Sequence, residues 1–284
     1  MLLIHFGFKD HFYATGILFY ALPLPILILA IFPILALFYH KKIIRFALMT
    51  LVGLLSFFWI QNHYVSYKNN DLNSTNSIFF WNIADQKDYN IEVLEKTLET
   101  KSIDALFFVE VIHKDNNFNA ELKQRLHGYN IEFLKGDMMV ASKKGITIID
   151  YLEEKNNYRL NHLKVEIGTN AYEVVIVDVF AKPWHNKKKA FSKIFKYLEK
   201  NHIDIIVGDF NTPYESIYFN HFKTNYKSAR NFQNGFSATW PYPLPLLEID
   251  HIWINKQLKI VSTEKEFYTD SDHALLITKF KSYL

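Results

Sequence analysis

Residues 12–39 contain no Asp, Glu, Lys or Arg. A charge-free run longer than the ~20 residues an α-helix needs to cross a bilayer restricts what the start of this chain can become. It predicts a transmembrane helix. Pro23, Pro25 and Pro33 each remove a backbone donor, so the helix is expected to be bent or shortened. A second apolar run, 46–60, with Gln61 and Asn62 beyond it, can also span if Arg45 snorkels at one end and Trp59 and Tyr64 sit near the other interface. The two runs predict a helical hairpin. His40, Lys41, Lys42 and Arg45 cluster at its turn against a single Lys9 before it. The positive-inside rule then puts the turn in the cytoplasm and both ends outside. A multi-pass protein of the cell membrane with an extracytoplasmic C-terminal part is expected. A cleaved signal peptide would have a shorter apolar region and a small-residue cleavage site.

The rest of the chain has another character. Over all 284 residues Lys+Arg 32 against Asp+Glu 29 leave +3, too little for a general nucleic-acid coat. A composition 49% hydrophobic and 21% charged excludes a largely disordered chain. With no cysteine there is no disulfide framework, thiolate zinc site or cysteine nucleophile. Beyond a polar stretch the pattern changes to short β-rich runs alternating with amphipathic helices. The organisation expected is a membrane hairpin at 1–66, a polar linker at 67–76 and one domain at 77–284. Strands are predicted at 77–83, 105–112, 137–142, 160–167, 172–180, 203–207, 249–255 and 274–280. Several are continuous apolar runs, as strands covered on both faces require. Helices are predicted at 90–100, where Ile91, Leu94 and Leu98 share a face and Glu92 precedes Lys96 by four residues, and at 187–200. In the second, Phe191, Ile194, Phe195 and Leu198 form an apolar stripe and the lysines face water. The fold class expected is α/β, a four-layer α/β/β/α sandwich preceded by the hairpin.

Carboxylates and amides that interrupt or end apolar strands are the informative positions, because an unpaired buried charge costs several kcal/mol. Glu110 sits inside Leu106-Phe107-Phe108-Val109-Glu110-Val111-Ile112, and Asn82 ends Phe79-Phe80-Trp81-Asn82. The strand Ile205-Ile206-Val207 runs into Gly208-Asp209-Phe210-Asn211, where Asp and Asn two apart on an extended chain point to the same side. Glu248-Ile249-Asp250-His251-Ile252-Trp253 puts an acid at a strand start, and Ser271-Asp272-His273 enters the last strand.

In order, these five motifs resemble those of the endonuclease/exonuclease/phosphatase superfamily, over residue 77 to the C-terminus. Gly208-Asp209-Phe210-Asn211 and Ser271-Asp272-His273 match its most specific signatures. Met139-Val140-Ala141-Ser142-Lys143 and Thr239-Trp240-Pro241 add support. With the hydrophobic N-terminus the arrangement is similar to the membrane-anchored bacterial branch. The resemblance implies hydrolysis of phosphoester bonds by metal-assisted water attack. Asp209 would orient or deprotonate the water and Asn211 would hold it or a phosphate oxygen. Asp250 would orient His273, which donates to the phosphate. Asn82, Glu110 and Asp272 form an all-oxygen set suited to Mg²⁺ or Mn²⁺, with zinc less suited. One departure stands out: Phe180 occupies the place where the family carries a His or Tyr, leaving Lys182 or His185 to reach in from the following loop.

Substrate identity stays open between nucleic acid, phospholipid headgroups and phosphomonoesters, and no protein partner is predicted. The run His185-Asn186-Lys187-Lys188-Lys189 is expected to be a solvated face. A competing reading is a membrane-tethered binding or scaffold protein of weak or no activity on the same fold. A channel built from the hairpin is disfavoured because neither span carries an ionisable residue well inside it.

Overall fold

The computed structural model describes residues 1–68, 75–84, 91–111, 116–185 and 187–283. Most of the expected linker (69–74), together with Asn90, Ile112 and Asn186, lies outside the described residues. The chain opens with helices α1 (Tyr13–Ala21), α2 (Leu24–Leu29), α3 (Ile31–Leu37) and α4 (Lys42–His63), then enters a short strand, β1 (Tyr64–Ser66). The prolines act as expected: α1 meets the 24–37 segment at a bend of 74°. Among the described residues α4 alone is long and apolar enough to cross a membrane as one helix, and the bent pair adds a second span if counted as one. Only 6% of the apolar window of α4 is buried, whereas a soluble core helix would be mostly covered. Leu24, Leu27, Ile28 and Ile31 pack with Leu55, so the 24–37 segment and α4 form a hairpin. The first apolar run departs from the single helix expected of it, because it breaks after α1, which buries Gly16, Phe19 and Tyr20.

Next come β2 (Asn76–Asn82), α5 (Ile91–Thr100), β3 (Ala105–Val109), α6 (Asn116–Arg125), β4 (Asn130–Leu134) and β5 (Met138–Ser142). They are followed by β6 (Ile146–Glu154), β7 (Tyr158–Ile167), β8 (Asn170–Val179), α7 (Lys187–Lys200) and β9 (Ile205–Asp209). The last strands are β10 (Tyr226–Ser228), β11 (Asn234–Phe236), β12 (Asp250–Asn255), β13 (Leu258–Glu266) and β14 (Leu275–Ser282). Two six-stranded sheets result, ordered β13-β14-β2-β3-β5-β4 and β10-β12-β9-β8-β7-β6. The α/β fold is the expected one. Strand alternation builds its layers: Ile78, Phe80 and Phe107 meet Ile176, Ile205 and Val207 between the sheets. Phe79, Trp81 and Phe108 face outward onto Leu94 of α5 and Leu122 of α6. On the other side Val175, Val177 and Ile206 receive Phe191, Ile194 and Leu198 of α7.

Gly208 marks the tightest point of this frame. A Cβ there would lie 2.0 Å from the backbone oxygen of Val177, on the neighbouring strand. Gly208→Ala is therefore expected to cost about 3 kcal/mol, the upper end of overpacking, read as a lowered Tm.

The boundary is not a loose tether. Strand β1 pairs with β11 in antiparallel register, Tyr64 opposite Phe236, and Trp59 stacks on Phe236 at 4.8 Å. Asp10, 2% exposed, accepts hydrogen bonds from Tyr20 Oη at 2.7 Å, Ile217 N at 3.1 Å and Ser216 Oγ. His63 Nε2 lies 2.6 Å from Glu215 Oε1, and this pairing outweighs burial to hold the Glu215 carboxyl down at about 2. The N-terminal helices are thus bolted to the segment that follows Asn211.

Candidate active site

The parallel pairs β2/β3 and β8/β9 finish at one end of the sandwich, and alternation decides which side chains face the gap there. Phe80 faces between the sheets, so Asn82 does too; Val207 sets Asp209 and Ile252 sets Asp250 in the same way. Register lines up the acids: Asp178 stands beside Asp209 across the parallel pair, and Asp209 beside Asp250 across the antiparallel one. Asn82, Asp209 and Asp250 are buried.

Glu110 arrives by another device. Continued alternation would aim it with Phe108 at the outer helices, but its φ of 57° breaks the strand. Its Oε1 accepts from Asn82 Nδ2 at 3.0 Å, and that nitrogen also donates to Asp209 Oδ2 at 2.9 Å. Asn82 Oδ1 accepts from Ala84 N at 2.8 Å. Asn82 therefore ties Glu110 to Asp209. Asn211 joins them for a reason other than extended-chain geometry, since its φ is 46°. In this turn its N donates to Asp209 Oδ1 at 2.7 Å, and its Nδ2 donates to Asp209 Oδ2 at 3.0 Å and to Val179 O at 2.9 Å.

His273 is held on three sides. Ser271 Oγ accepts from His273 N at 3.0 Å and donates to Asn82 O at 2.7 Å, while Trp81 Nε1 donates to His273 O at 3.2 Å. Its Nδ1 lies 2.9 Å from Asp250 Oδ2, leaving Nε2 at 4.0 Å from Asp209 Oδ2 and 3.8 Å from Asp272 Oδ1. Asp272 Oδ2 accepts from Trp240 Nε1 at 2.7 Å. Burial alone would lower the imidazole pKa; the Asp250, Asp209 and Asp272 charges overcome it and push it up to about 10. Burial, then the Asp250 charge, raises the Asp209 carboxyl well above its usual range, with His273 offsetting part of the effect. All seven residues expected from the sequence thus form one network whose links do not exceed 4.0 Å. Atoms of Asp209, Asp250 and His273 also lie within 4.8 Å of one another, close enough to hold an ion. The Nδ1 of His273 is nevertheless committed to Asp250.

A cleft of ≈ 780 Å³ opens beside the network, bordered by Glu110, Asp178, Asn211, Phe180 and Lys182 among others. Lys182 Nζ stands 5.6 Å from the Phe180 ring centre and 5.7 Å from that of Trp184. His185 packs edge-on against Phe180 at 4.7 Å and does not border the cleft. Of the two loop residues singled out in the sequence, Lys182 is the one that borders it.

The family model described as "Endonuclease/Exonuclease/phosphatase family" matches residues 80–273, from β2 to the buried imidazole. The chain belongs to this family. Membership makes it a hydrolase of phosphoester bonds, in a family of divalent-metal-dependent enzymes. No curated protein sequence matches it. Solved structures share its fold. A humanized TDP2 from D. rerio superposes with TM-score 0.57 at 14% identity, covering 74% of this chain and 100% of that one. An endonuclease/exonuclease/phosphatase from Bacteroides vulgatus gives 0.55 at 14%, over 74% and 100%. A mannosyl-6-phosphatase from Bacteroides thetaiotaomicron VPI-5482 gives 0.52 at 12%, over 72% and 98%.

Two residues near this family member's site escaped the sequence reading: Asp178, which stands beside Asp209, and Lys187. Lys187, expected on a solvated face, is buried, and its Nζ donates to Phe180 O. Burial lowers its pKa to about 8 against the attraction of Asp209 and Asp178. The signal was present: positions 187, 191, 194 and 198 follow the helical period of the apolar stripe.

Proposed function

We propose that this family member is a membrane-anchored, Mg²⁺- or Mn²⁺-dependent hydrolase of a phosphodiester or phosphomonoester, with Asp209, Asn211, Asp250 and His273 doing the chemistry. The observation that carries the reading is the linked network around Asp209, in which a buried carboxylate meets a buried imidazolium beside an open cleft. Water attacks phosphorus as the ester P–O bond breaks. Asp209 orients the water and accepts its proton, Asn211 steadies the turn, and His273 donates from Nε2 to a phosphoryl oxygen while Asp250 fixes its other nitrogen. In the balance one water is consumed, a phosphomonoester (from a diester) or inorganic phosphate (from a monoester) is released with one alcohol, and the water's proton ends on the alcohol.

The site fits a hard cation. Glu110, Asp178, Asp209 and Asp250 converge, and burial followed by the Asp250 charge raises the Asp209 carboxyl, a cost that a cation held by carboxylate oxygens would relieve. Glu110 would hold the metal, with Asn82 beside it and Asp272 adding charge. When bound, it draws negative charge off the phosphoryl oxygens. The anchor reading rests on α4 and the exposed Phe46, Met49, Leu54 and Phe57 along it. The charge bias at the turn supports a C-terminal domain outside the cytoplasm.

The test is hydrolysis of bis(4-nitrophenyl) phosphate and 4-nitrophenyl phosphate by the intact protein. Activity is expected to vanish with chelator and return with Mg²⁺ or Mn²⁺; no turnover under any metal would refute the reading and favour the scaffold alternative. Lys182→Ala, which removes a cation that borders the cleft beside Phe180, is expected to lower kcat/KM about ten-fold without moving Tm.

A further inference from the structure

Among the described residues, several contacts between the N-terminal helices and the domain fall on loops near the active site. Asp10 grips Ser216 and Ile217, a few residues past Asn211. Tyr13 Oη, at the start of α1, donates to Trp184 O at 2.7 Å, in the loop that carries Lys182. The loop from Trp240 to Leu247 bonds Asp272 at its start, and its Leu246 and Leu247 line a small cavity with Pro23, Leu24 and Trp59. Three loops near the site, 182–185, 212–217 and 240–247, therefore hold the N-terminal helices, while the turn between β6 and β7 also borders the cleft. The membrane helices leave from the end where the cleft opens, with Asp10 and β1 fixing the distance.

The rim of that end is apolar where solvent would otherwise meet it. Trp184 is 54% exposed and Leu244 68% exposed, on loops at two sides of the network, with Tyr242 beside Leu244. Exposed aromatics of this kind suit the headgroup layer of a bilayer. The cleft offers, among the described residues, no row of Lys and Arg of the kind that tracks a long nucleic-acid backbone, whereas a headgroup brings a single phosphate. Five carboxylates and three cations border it, and one of those cations, Arg159, is tied to Asp137 at 2.9 Å.

We propose that the active-site end of the sandwich rests on the bilayer and that the phosphoester hydrolysed there is the headgroup of a membrane lipid. This rests on the anchored-hydrolase reading and narrows its substrate. A lipid diffusing in the same leaflet meets the cleft sideways, with its acyl chains remaining in the membrane and its phosphate at the height of Lys182 and His273.

The intact protein is reconstituted in phosphatidylcholine vesicles containing phosphatidylglycerol or phosphatidic acid, with Mg²⁺, and product release is followed by mass spectrometry. Lipid in the protein's own vesicles is expected to be cleaved about 10²-fold faster than the same lipid in separate vesicles, because sharing a membrane raises its effective concentration. Because the chain has no cysteine, a fluorophore can be placed at Leu244→Cys and, as control, at Thr169→Cys in the opposite β7–β8 turn. Doxyl-labelled lipid is expected to quench the first and not the second. Cleavage of bis(4-nitrophenyl) phosphate or of oligonucleotides without cleavage of any vesicle lipid would overturn the proposal and leave the hydrolase standing. Equal, absent quenching at both positions would overturn it as well. Inactivity on every substrate would remove the hydrolase reading and this proposal together.

Discussion

Asp209→Ala is expected to lower kcat by about 10³-fold or more, roughly 4 kcal/mol of barrier, with little change in KM. The carboxylate is buried and stands at the centre of the network, accepting from Asn82 Nδ2, Asn211 N and Asn211 Nδ2. Its removal takes away the group that would receive the water's proton. The fold should survive for a reason the same contacts supply. Truncation leaves buried donors without an acceptor, a loss of about 1–3 kcal/mol, but it also removes a negative charge that Asp250, Glu110 and Asp178 oppose. These effects have opposite signs, so Tm is expected to move by no more than about 5 °C. Asp209→Asn should be no more active, because its amide would turn a donor toward the donors of Asn82 or Asn211. Steady-state kinetics and a melting curve on the same preparation check both halves; a variant retaining a tenth of the parent rate would remove Asp209 from the mechanism.

The parts of this site that were legible in the sequence are those where an apolar strand forces a polar residue to declare itself. Asn82 and Asp209 end, and Asp250 opens, apolar strands whose residues two positions away lie in the inter-sheet core, so their placement was readable before any coordinates. Glu110 and Asn211 were found for incomplete reasons: both depend on left-handed backbone, which no side-chain pattern announces. Strands β6 and β13 and helix α6 are among the elements that went unpredicted, as are β1, β4, β10 and β11. The first two mix charged residues into their runs, Asp150, Glu153 and Glu154 in one and Glu264, Lys265 and Glu266 in the other, as solvent-facing edge strands do. Helix α6 opens on Asn-rich sequence of poor helical propensity. Lys187 was misplaced because a lysine on an apolar stripe was grouped by charge with its neighbours instead of by angle with Phe191. The N-terminus hid more. A charge-free run reads as one membrane helix by length alone, and nothing in it shows that Asp10, just ahead, is buried under Tyr20 and Ser216.

Asp250→Asn should lower kcat about 10²-fold, His273→Ala about 10³-fold, and the double variant no further than His273→Ala. Asp250 touches no part of the cleft; it is buried beneath the imidazole at 2.9 Å from Nδ1. After burial, its charge raises the Asp209 carboxyl, while its hydrogen-bonded partner is His273, through which it reaches the phosphate. It does so in two ways: its charge overcomes the burial penalty on the imidazolium, and its oxygens fix the ring so that Nε2 faces Asp209 and Asp272. Asparagine keeps the size but supplies no charge, so the ring loses protonation and orientation together. Once the ring itself is absent, residue 250 has no imidazole left to charge or orient, and the loss that passes through the ring must disappear. If Asp250, with its Oδ atoms near Asp209, instead held an ion on its own account, the two losses would multiply. A double variant slower than His273→Ala by a further factor of about ten would then assign the Asp209–Asp250–His273 cluster to metal binding and move phosphate recognition to Lys182.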